Sequence, residues 1–105
     1  MYLVRNVFKA KPGKAKALVE TFRKASQVMS GLGVVKSTRI LTDSVAGFWT
    51  IVLEDEVEDL NAYMDMAKSL SGKPEFAEVV KNYVEYSLEG YREVFKIEWF
   101  YFIVL

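Results

Sequence analysis

The residue types that could do chemistry in this sequence are few, because the chain of 105 residues contains neither His nor Cys. The absence of His removes the commonest general base near neutral pH and the usual protein ligand of haem and zinc. The absence of Cys excludes disulfides, thiolate metal sites and cysteine nucleophiles. Any chemistry must therefore use amide, hydroxyl, carboxylate or basic side chains, and we expect no metal site and no cofactor.

Asn6 is the most informative single residue, since it is the one amide on a strand face otherwise formed by Tyr2, Val4 and Phe8. A buried amide without a hydrogen-bond partner costs about 1 to 3 kcal/mol, so Asn6 needs a partner. It either bonds to a neighbouring backbone or helix group, or it orients an oxygen of a ligand in an apolar cavity. We expect Asn6 to face the helices, because its apolar neighbours match the apolar stripes of the helices. Arg5 then faces the opposite side of the sheet.

Three aromatic residues, Trp49, Tyr63 and Tyr83, lie on elements that could flank the same cavity. A tyrosine hydroxyl can supply a hydrogen bond or a proton without a metal. Core packing is the alternative role for each of the three. Together with Asn6 they form the predicted set of ligand-binding residues.

An acidic cluster follows the third predicted strand. Carboxylates so close together could suggest a site for a hard cation, but residues at a helix start are scattered around the helix axis. We expect them instead to lie in solvent and to stabilise the positive end of the next helix. The cluster comprises Asp55, Glu56, Glu58 and Asp59.

Arg5 and Arg39 are arginines on predicted strands. Either could clamp an anionic ligand, because a guanidinium binds a carboxylate through two parallel hydrogen bonds. The alternative is a structural ion pair near a subunit boundary. We expect that alternative, with Glu93 or Glu98 as the partner.

The elements that must position these residues follow from hydrophobic periodicity and from turn residues. Alternation predicts strands over 2–9, 34–41, 47–54 and 91–99. Helical spacing predicts a helix over 14–30, a second helix that begins at the acidic cluster and a further helix that begins at Pro74. The order β-α-β-β-α-β predicts an α+β, ferredoxin-like sandwich in which a four-stranded antiparallel sheet carries its helices on one face. A chain of this length fits one domain, 1–105.

The opposite face of that sheet is left bare, and a soluble monomer rarely exposes so large an apolar patch. We therefore expect a homodimer in which two sheet faces pack together. The segment 99–105 consists of seven consecutive apolar or aromatic residues, and such a segment is an aggregation hazard unless it is covered. We expect this tail to cross onto the partner subunit, the alternatives being a tail packed on its own subunit or a disordered one.

Four segments together resemble the dimeric α+β barrel superfamily, which includes the antibiotic-biosynthesis-type monooxygenases. They read RNVFKAKPGK from residue 5, TIVLE from residue 50, KPEF from residue 73 and YREVFKI from residue 91. The resemblance implies two sheets that face each other across a dimer, and a small cavity in each subunit between sheet and helices. Haem-degrading relatives carry an Asn on the first strand, which Asn6 matches, but they also use a His, so haem chemistry does not carry over to this chain.

Two functions remain open at this stage. The first is a homodimeric small-molecule-binding protein whose cavity holds an apolar or aromatic ligand. The alternative, allowed by the resemblance, is a cofactor-free monooxygenase or isomerase for a small aromatic, polyketide-like or quinol-like substrate. A purely structural or regulatory dimer is a third class, which gains weight if no cavity exists.

Composition also bears on partners and location. A formal net charge of zero and a pI of about 6.3 give no reason to expect nucleic acid. No signal-peptide pattern and no run of about 20 apolar residues occurs, so we expect no membrane partner and a cytoplasmic location.

Overall fold

The computed structural model describes residues 1–45 and 47–103 and shows a four-stranded antiparallel sheet with helices on one face. The predicted α+β, ferredoxin-like architecture is confirmed. The elements in chain order are β1 (Tyr2–Ala10), α1 (Ala15–Ser30), β2 (Val35–Thr42), β3 (Thr50–Val57), α2 (Leu60–Ser71), α3 (Pro74–Val80), α4 (Tyr83–Tyr86) and β4 (Ser87–Lys96).

The strands lie in the order β2-β3-β1-β4, so β1 is central and pairs antiparallel on both sides. Asn6 lies opposite Leu53 of β3 and Arg92 of β4. Successive side chains of a strand point to opposite faces, and the even-numbered residues of β1 face the helices. Val4 packs with α2 and Phe8 packs with α1, which confirms the predicted orientation of Asn6.

Local residue chemistry sets where the helices begin. Gly13 has φ +82°, a left-handed conformation that suits glycine, and it forms the tight turn into α1. The Asp59 side chain accepts a hydrogen bond from the backbone N–H of Ala62 at 3.0 Å and caps α2. Pro74 occupies the first turn of α3, where its missing N–H has no cost. Among the described residues, no helix is long and apolar enough to cross a membrane.

The predicted bounds of two strands are wrong. Strand β3 continues to Val57, so Asp55 and Glu56 belong to the strand rather than to a helix start, and α2 begins only at Leu60. Strand β4 begins at Ser87 and ends at Lys96, whereas alternation predicted 91–99. Pairing with β1 extends the end of β3 and the start of β4, since β1 offers backbone partners along its whole length.

The core consists of two clusters on the helix-facing side of the sheet. One cluster joins the start of β1 and the end of β3 to α2; its buried members are Val4, Val57, Tyr63, Met66 and Leu70. The other joins the end of β1 and the start of β3 to α1; its buried members are Ala10, Leu18, Phe22 and Ile51. Phe8 packs against the second cluster, with its ring centre 4.6 Å from that of Phe22.

The outer face of the sheet carries both apolar and charged side chains and contains a buried ion cluster. Glu54 is buried and accepts hydrogen bonds from Arg39, whose Nε lies 3.1 Å from Oε1, while Arg5 Nε lies 3.7 Å from Oε2. The predicted pairing of Arg5 and Arg39 with Glu93 or Glu98 is therefore wrong. Both arginines pair with Glu54 because β1 and β2 flank β3 and place all three residues in one cross-strand row.

The chain beyond β4 has no regular secondary structure over residues 97–103 and carries exposed aromatic side chains. The Ile97 N–H donates to the Met1 carbonyl, which prolongs the contact with the start of β1. Trp99 stacks on Tyr101, and the side chains of 99–103 are all at least 67% exposed. Val104 and Leu105, the end of the predicted tail, lie outside the described residues, as does Ala46 of the predicted turn between β2 and β3.

We expect Gly90→Ala to destabilise the protein by about 1 to 3 kcal/mol, because a Cβ at Gly90 would lie 2.9 Å from Cδ1 of Phe8. Phe8 cannot move away freely, since Phe22 and Tyr83 contact its ring. Urea denaturation measures the loss. Gly72→Ala is the matched control, because its Cβ would lie 3.7 Å from the nearest atom while the change in the unfolded chain is the same. Equal stabilities of the two variants would contradict the close packing of β4 on Phe8.

Candidate functional site

A cavity of about 710 Å³ lies between the sheet and the helices, along the side of the sheet formed by β1 and β4. Its walls come from both core clusters and are mostly aromatic or aliphatic. They comprise Phe8, Phe22, Ala25, Met29, Leu53, Ala67, Leu70, Phe76, Val80, Tyr83, Val84, Leu88 and Tyr91. The polar lining residues are Asn6, Tyr63, Ser87, Glu89 and Arg92. An apolar cavity of this size with a few convergent polar groups is typical of small-molecule sites.

Arg92 and Asn6 form one pair of polar groups in the cavity lining. They lie directly opposite each other in the pairing of β1 and β4, and the Arg92 Nε–H donates to Asn6 Oδ1 at 2.7 Å. The guanidinium carbon lies 6.0 Å from the centre of the Tyr63 ring, and Nη1 lies 3.8 Å from the Sδ atom of Met64. Among the described residues, no carboxylate forms an ion pair with Arg92. Nη1 donates to Met64 Sδ, and Nη2 is therefore the terminal nitrogen available to an acceptor in the cavity.

Tyr63 and Asp55 form a second polar pair, in which Tyr63 lines the cavity and Asp55 lies deeper in the protein. The Tyr63 hydroxyl donates to Asp55 Oδ2 at 3.2 Å, and the Thr38 hydroxyl donates to Asp55 Oδ1 at 2.7 Å. Asp55 is 1% exposed and Tyr63 is 2% exposed. Each carboxyl oxygen thus has one hydrogen-bond donor, which offsets part of the cost of burying the group.

Burial controls the protonation of this pair. Desolvation raises the pKa of Asp55 above its ordinary value, although the hydrogen bonds from Thr38 and Tyr63 and the charge of Arg92 oppose the shift. Desolvation and the neighbouring Asp55 charge raise the pKa of Tyr63 to about 12, with Arg92 and the Asn6 amide opposing. Tyr63 is therefore a neutral hydrogen-bonding group near neutral pH rather than a phenolate.

The structure brings together three of the four predicted ligand-binding residues, since Asn6, Tyr63 and Tyr83 all line the cavity. Trp49 does not line it, and the prediction that it flanks the same cavity is wrong. Trp49 has φ +66° at the entrance to β3, is 41% exposed, and its carbonyl accepts from the Ala10 N–H. It belongs to the turn, because the strand begins later than alternation predicted.

Sequence reasoning missed Asp55 and Arg92. Asp55 was assigned to a solvated helix start, but it occupies an inward-facing position of β3 in a row with Ile51, Leu53 and Val57. Extending the period-two pattern of β3 past residue 54 would have placed it on the buried face. Arg92 carries no comparable signal, because its role depends on the register between β4 and β1.

The other members of the acidic cluster have separate roles. Asp59 caps α2, and Glu58 lies 4.0 Å from Lys36 at the surface. Within the described ranges, no group of three or more acidic side chains is arranged to hold a metal ion. These carboxylates lie on different elements and serve local structure.

We expect Asp55→Asn to change the pH dependence of stability. Below pH 3.8 the carboxyl is protonated in both folded and unfolded chains, and it contributes no pH dependence. As the pH rises from 3.8 towards the raised folded-state pKa, the unfolded chain ionises first, so the free energy of unfolding of the wild type falls. The free energy of unfolding of Asp55→Asn minus that of the wild type should rise with pH over this window. Urea denaturation at a series of pH values measures this, with Glu58→Gln as the surface control.

A difference between Asp55→Asn and the wild type that stays constant with pH would contradict the desolvation of Asp55.

Comparison with known proteins supports the fold. No protein-family model matches the sequence, and no curated protein matches it either. Solved structures do match. A NIPSNAP domain protein from Burkholderia xenovorans superposes with a TM-score of 0.76 at 11% identity, covering 92% of this chain and 94% of that one. A protein from Nitrosomonas europaea that carries the provisional name antibiotic biosynthesis monooxygenase superposes with a TM-score of 0.76 at 12% identity. The match covers 94% of this chain and 100% of that one.

A variant of SnoaB, a cofactor-independent oxygenase from Streptomyces nogalater, gives a TM-score of 0.75 at 12% identity, with 94% of each chain covered. At sequence identities this low, structural similarity is evidence of a shared fold and not of a shared activity. The chain therefore has the same ferredoxin-like α+β fold as these NIPSNAP and antibiotic-biosynthesis-monooxygenase structures.

Proposed function

We propose that the protein is a homodimer that binds a small aromatic molecule in the cavity between sheet and helices. The observation that carries this proposal is the combination of mostly apolar walls with the polar groups of Asn6, Tyr63 and Arg92 around a cavity of about 710 Å³. Phe8, Phe22 and Phe76 supply aromatic surface against which a planar ligand can pack. The Asn6 amide and the Arg92 guanidinium then orient the ligand through its oxygen atoms.

A second candidate function is a cofactor-free oxygenase or isomerase acting on an aromatic or polyketide-like ketone. Arg92 and Asn6 favour it, because N–H donors beside an apolar cavity stabilise the negative charge that develops on an enolate oxygen. Such a substrate supplies its own reactivity, so the protein needs only to bind it and to stabilise its anion. The fold shared with SnoaB, a cofactor-independent oxygenase, is consistent with this chemistry.

The homodimer part of the proposal depends on surfaces that a single subunit leaves in water. The outer face of the sheet carries Tyr91 at 59% and Phe95 at 45% exposure, beside the buried Val7 and Val52. The aromatic residues of 99–103 continue from the same edge strand. Packing a second sheet on this face, with each tail lying along the partner, would cover both surfaces.

We expect Asn6→Leu to weaken binding of 2-acetylnaphthalene, an aromatic ketone, by about tenfold, because the change removes one amide and leaves Arg92 Nε without its acceptor. Fluorescence titration measures the affinity, and oxygen uptake with anthrone, whose enolate reacts with oxygen unaided, tests turnover. Asn61→Leu, at an exposed position of α2, is the matched control. If Asn6→Leu lowered only the melting temperature and left both readouts unchanged, Asn6 would be a core residue without a ligand role.

We expect light scattering of the wild type at micromolar concentration to give twice the chain mass of 12.0 kDa. Deleting residues 100–105 should weaken the dimer, because it removes exposed aromatic surface that a partner would bury. Replacing the same residues by serine separates the loss of apolar surface from the loss of chain length. A wild type of 12.0 kDa would remove the homodimer proposal, and a truncated protein that stayed fully dimeric would remove the role of the tail.

A further inference from the structure

The wall that β4 contributes to the cavity is left in water. Six consecutive residues, 87–92, line the cavity, and they belong to an edge strand of the sheet. Leu88 is 60% exposed, and Val84 of the neighbouring α4, which also lines the cavity, is 67% exposed. A site for a small apolar molecule usually buries most of the surface of its ligand. The cavity of a single subunit is thus incomplete on the side of β4.

Residues 99–103, the described part of the tail, have the side-chain pattern of a strand that is covered on both faces. Rings two residues apart lie side by side: the ring centres of Trp99 and Tyr101 are 5.9 Å apart, and those of Phe100 and Phe102 are 6.5 Å apart. Successive side chains of an extended chain point to opposite sides, so the tail carries two aromatic rows. An apolar run without polar alternation is typical of a strand that is buried on both faces.

The tail does not cover the cavity of its own subunit. The residues that line the cavity lie at the start of β4, and the chain leaves past the opposite end, where the Ile97 N–H donates to the Met1 carbonyl. Gly90 and Lys96 are about 20 Å apart along a strand, at about 3.3 Å per residue. No turn occurs over 97–103 that would lead the chain back. Another chain is therefore needed to cover the open side.

A second copy of this chain can bring its tail to that position. A two-fold axis that crosses β4 sets the strand antiparallel to its copy, because the rotation reverses the strand direction. The end of one β4 then lies near the start of the other. The five residues 99–103 span about 17 Å, close to the roughly 20 Å of residues 87–92. The free side of β4, which has no backbone partner among the described elements, can pair with such a strand.

We propose that the tail of one subunit pairs with the start of β4 in the other subunit and closes its cavity, with one aromatic row over the ligand and the other row between the subunits. The inference rests on the proposed homodimer and on the proposed binding function, and it makes the binding site a shared one. A planar aromatic ligand suits this site, because the tail adds rings to those of Phe8 and Phe22 in the cavity wall.

Cross-linking tests the placement of the tail without a ligand. The chain has no Cys, so introduced thiols are the only ones present. Leu88→Cys and Tyr101→Cys chains, one of them with an affinity tag, are mixed, allowed to exchange subunits and treated with a short bismaleimide. We expect links between the two kinds of chain. Asn61→Cys, at an exposed position of α2, replaces Tyr101→Cys as the background control. Links at the background level, or links mainly between two Tyr101→Cys chains, overturn the inference.

The two aromatic rows should have separable effects on the dimeric protein. Phe100→Ala with Phe102→Ala removes one row, and Trp99→Ala with Tyr101→Ala removes the other. We expect one double variant to bind 2-acetylnaphthalene about tenfold more weakly and the other mainly to weaken the dimer. The fluorescence of the probe and light scattering measure the two effects. Phe48→Ala is the control, because Phe48 is 77% exposed and lies outside the cavity lining. If neither double variant binds the probe more weakly than Phe48→Ala, the shared site is wrong.

These measurements keep the inference separate from the proposed function. If Leu88→Cys and Tyr101→Cys chains are linked but the probe does not bind the wild type, the proposed binding function fails and the placement of the tail stands. If the probe binds the wild type but no such link forms, the binding function stands and the shared site fails. A wild type of 12.0 kDa in light scattering removes the homodimer and the shared site together.

Discussion

The structure depends on the pairing of β1 with a neighbour on each side. Because β1 is central, its alternation decides which residues of the sheet enter the core and which face outward. A shift of one residue would send Asn6 to the outer face and bring Arg5 among the helices. The apolar residues Val4 and Phe8 prevent that shift, since each is held in one of the two core clusters. The position of the polar groups that line the cavity is thus a consequence of strand register.

Strand β3 carries two adjacent buried carboxylates that point to opposite faces and are stabilised in different ways. Glu54 is neutralised by the guanidinium groups of Arg5 and Arg39 on the outer face. Asp55 has only neutral donors in direct contact, with the charge of Arg92 acting from the far side of Tyr63. A buried charge without a touching cation is expensive, and such groups concentrate at functional sites more often than in structural cores. That contrast distinguishes the side of the sheet that lines the cavity from its outer side.

Much of the fold could be predicted from the sequence, because alternation and helical spacing act locally. The inward orientation of Asn6 and its contact with the helix layer followed from the apolar residues on either side of it. The site was predictable only in part. Asp55 was misplaced because a carboxylate beside Glu54 and Glu56 has the composition of a helix start, and its burial depends on the hydroxyl groups of Thr38 and Tyr63 from distant segments. Trp49 was misplaced because the turn before β3 extends far enough to take it off the strand.

The two faces of the sheet are connected through its strands, since adjacent residues of one strand point to opposite faces. On β1, Asn6 at the cavity adjoins Arg5 on the outer face; on β3, Asp55 adjoins Glu54. On β4, Arg92 adjoins Tyr91, whose exposed ring belongs to the surface that a second subunit would cover. As β4 is an edge strand paired only with β1 among the described elements, its free side has no backbone partner within this sheet. In the proposed dimer, packing on Tyr91 and Phe95 would therefore restrain the strand that holds Arg92 against Asn6.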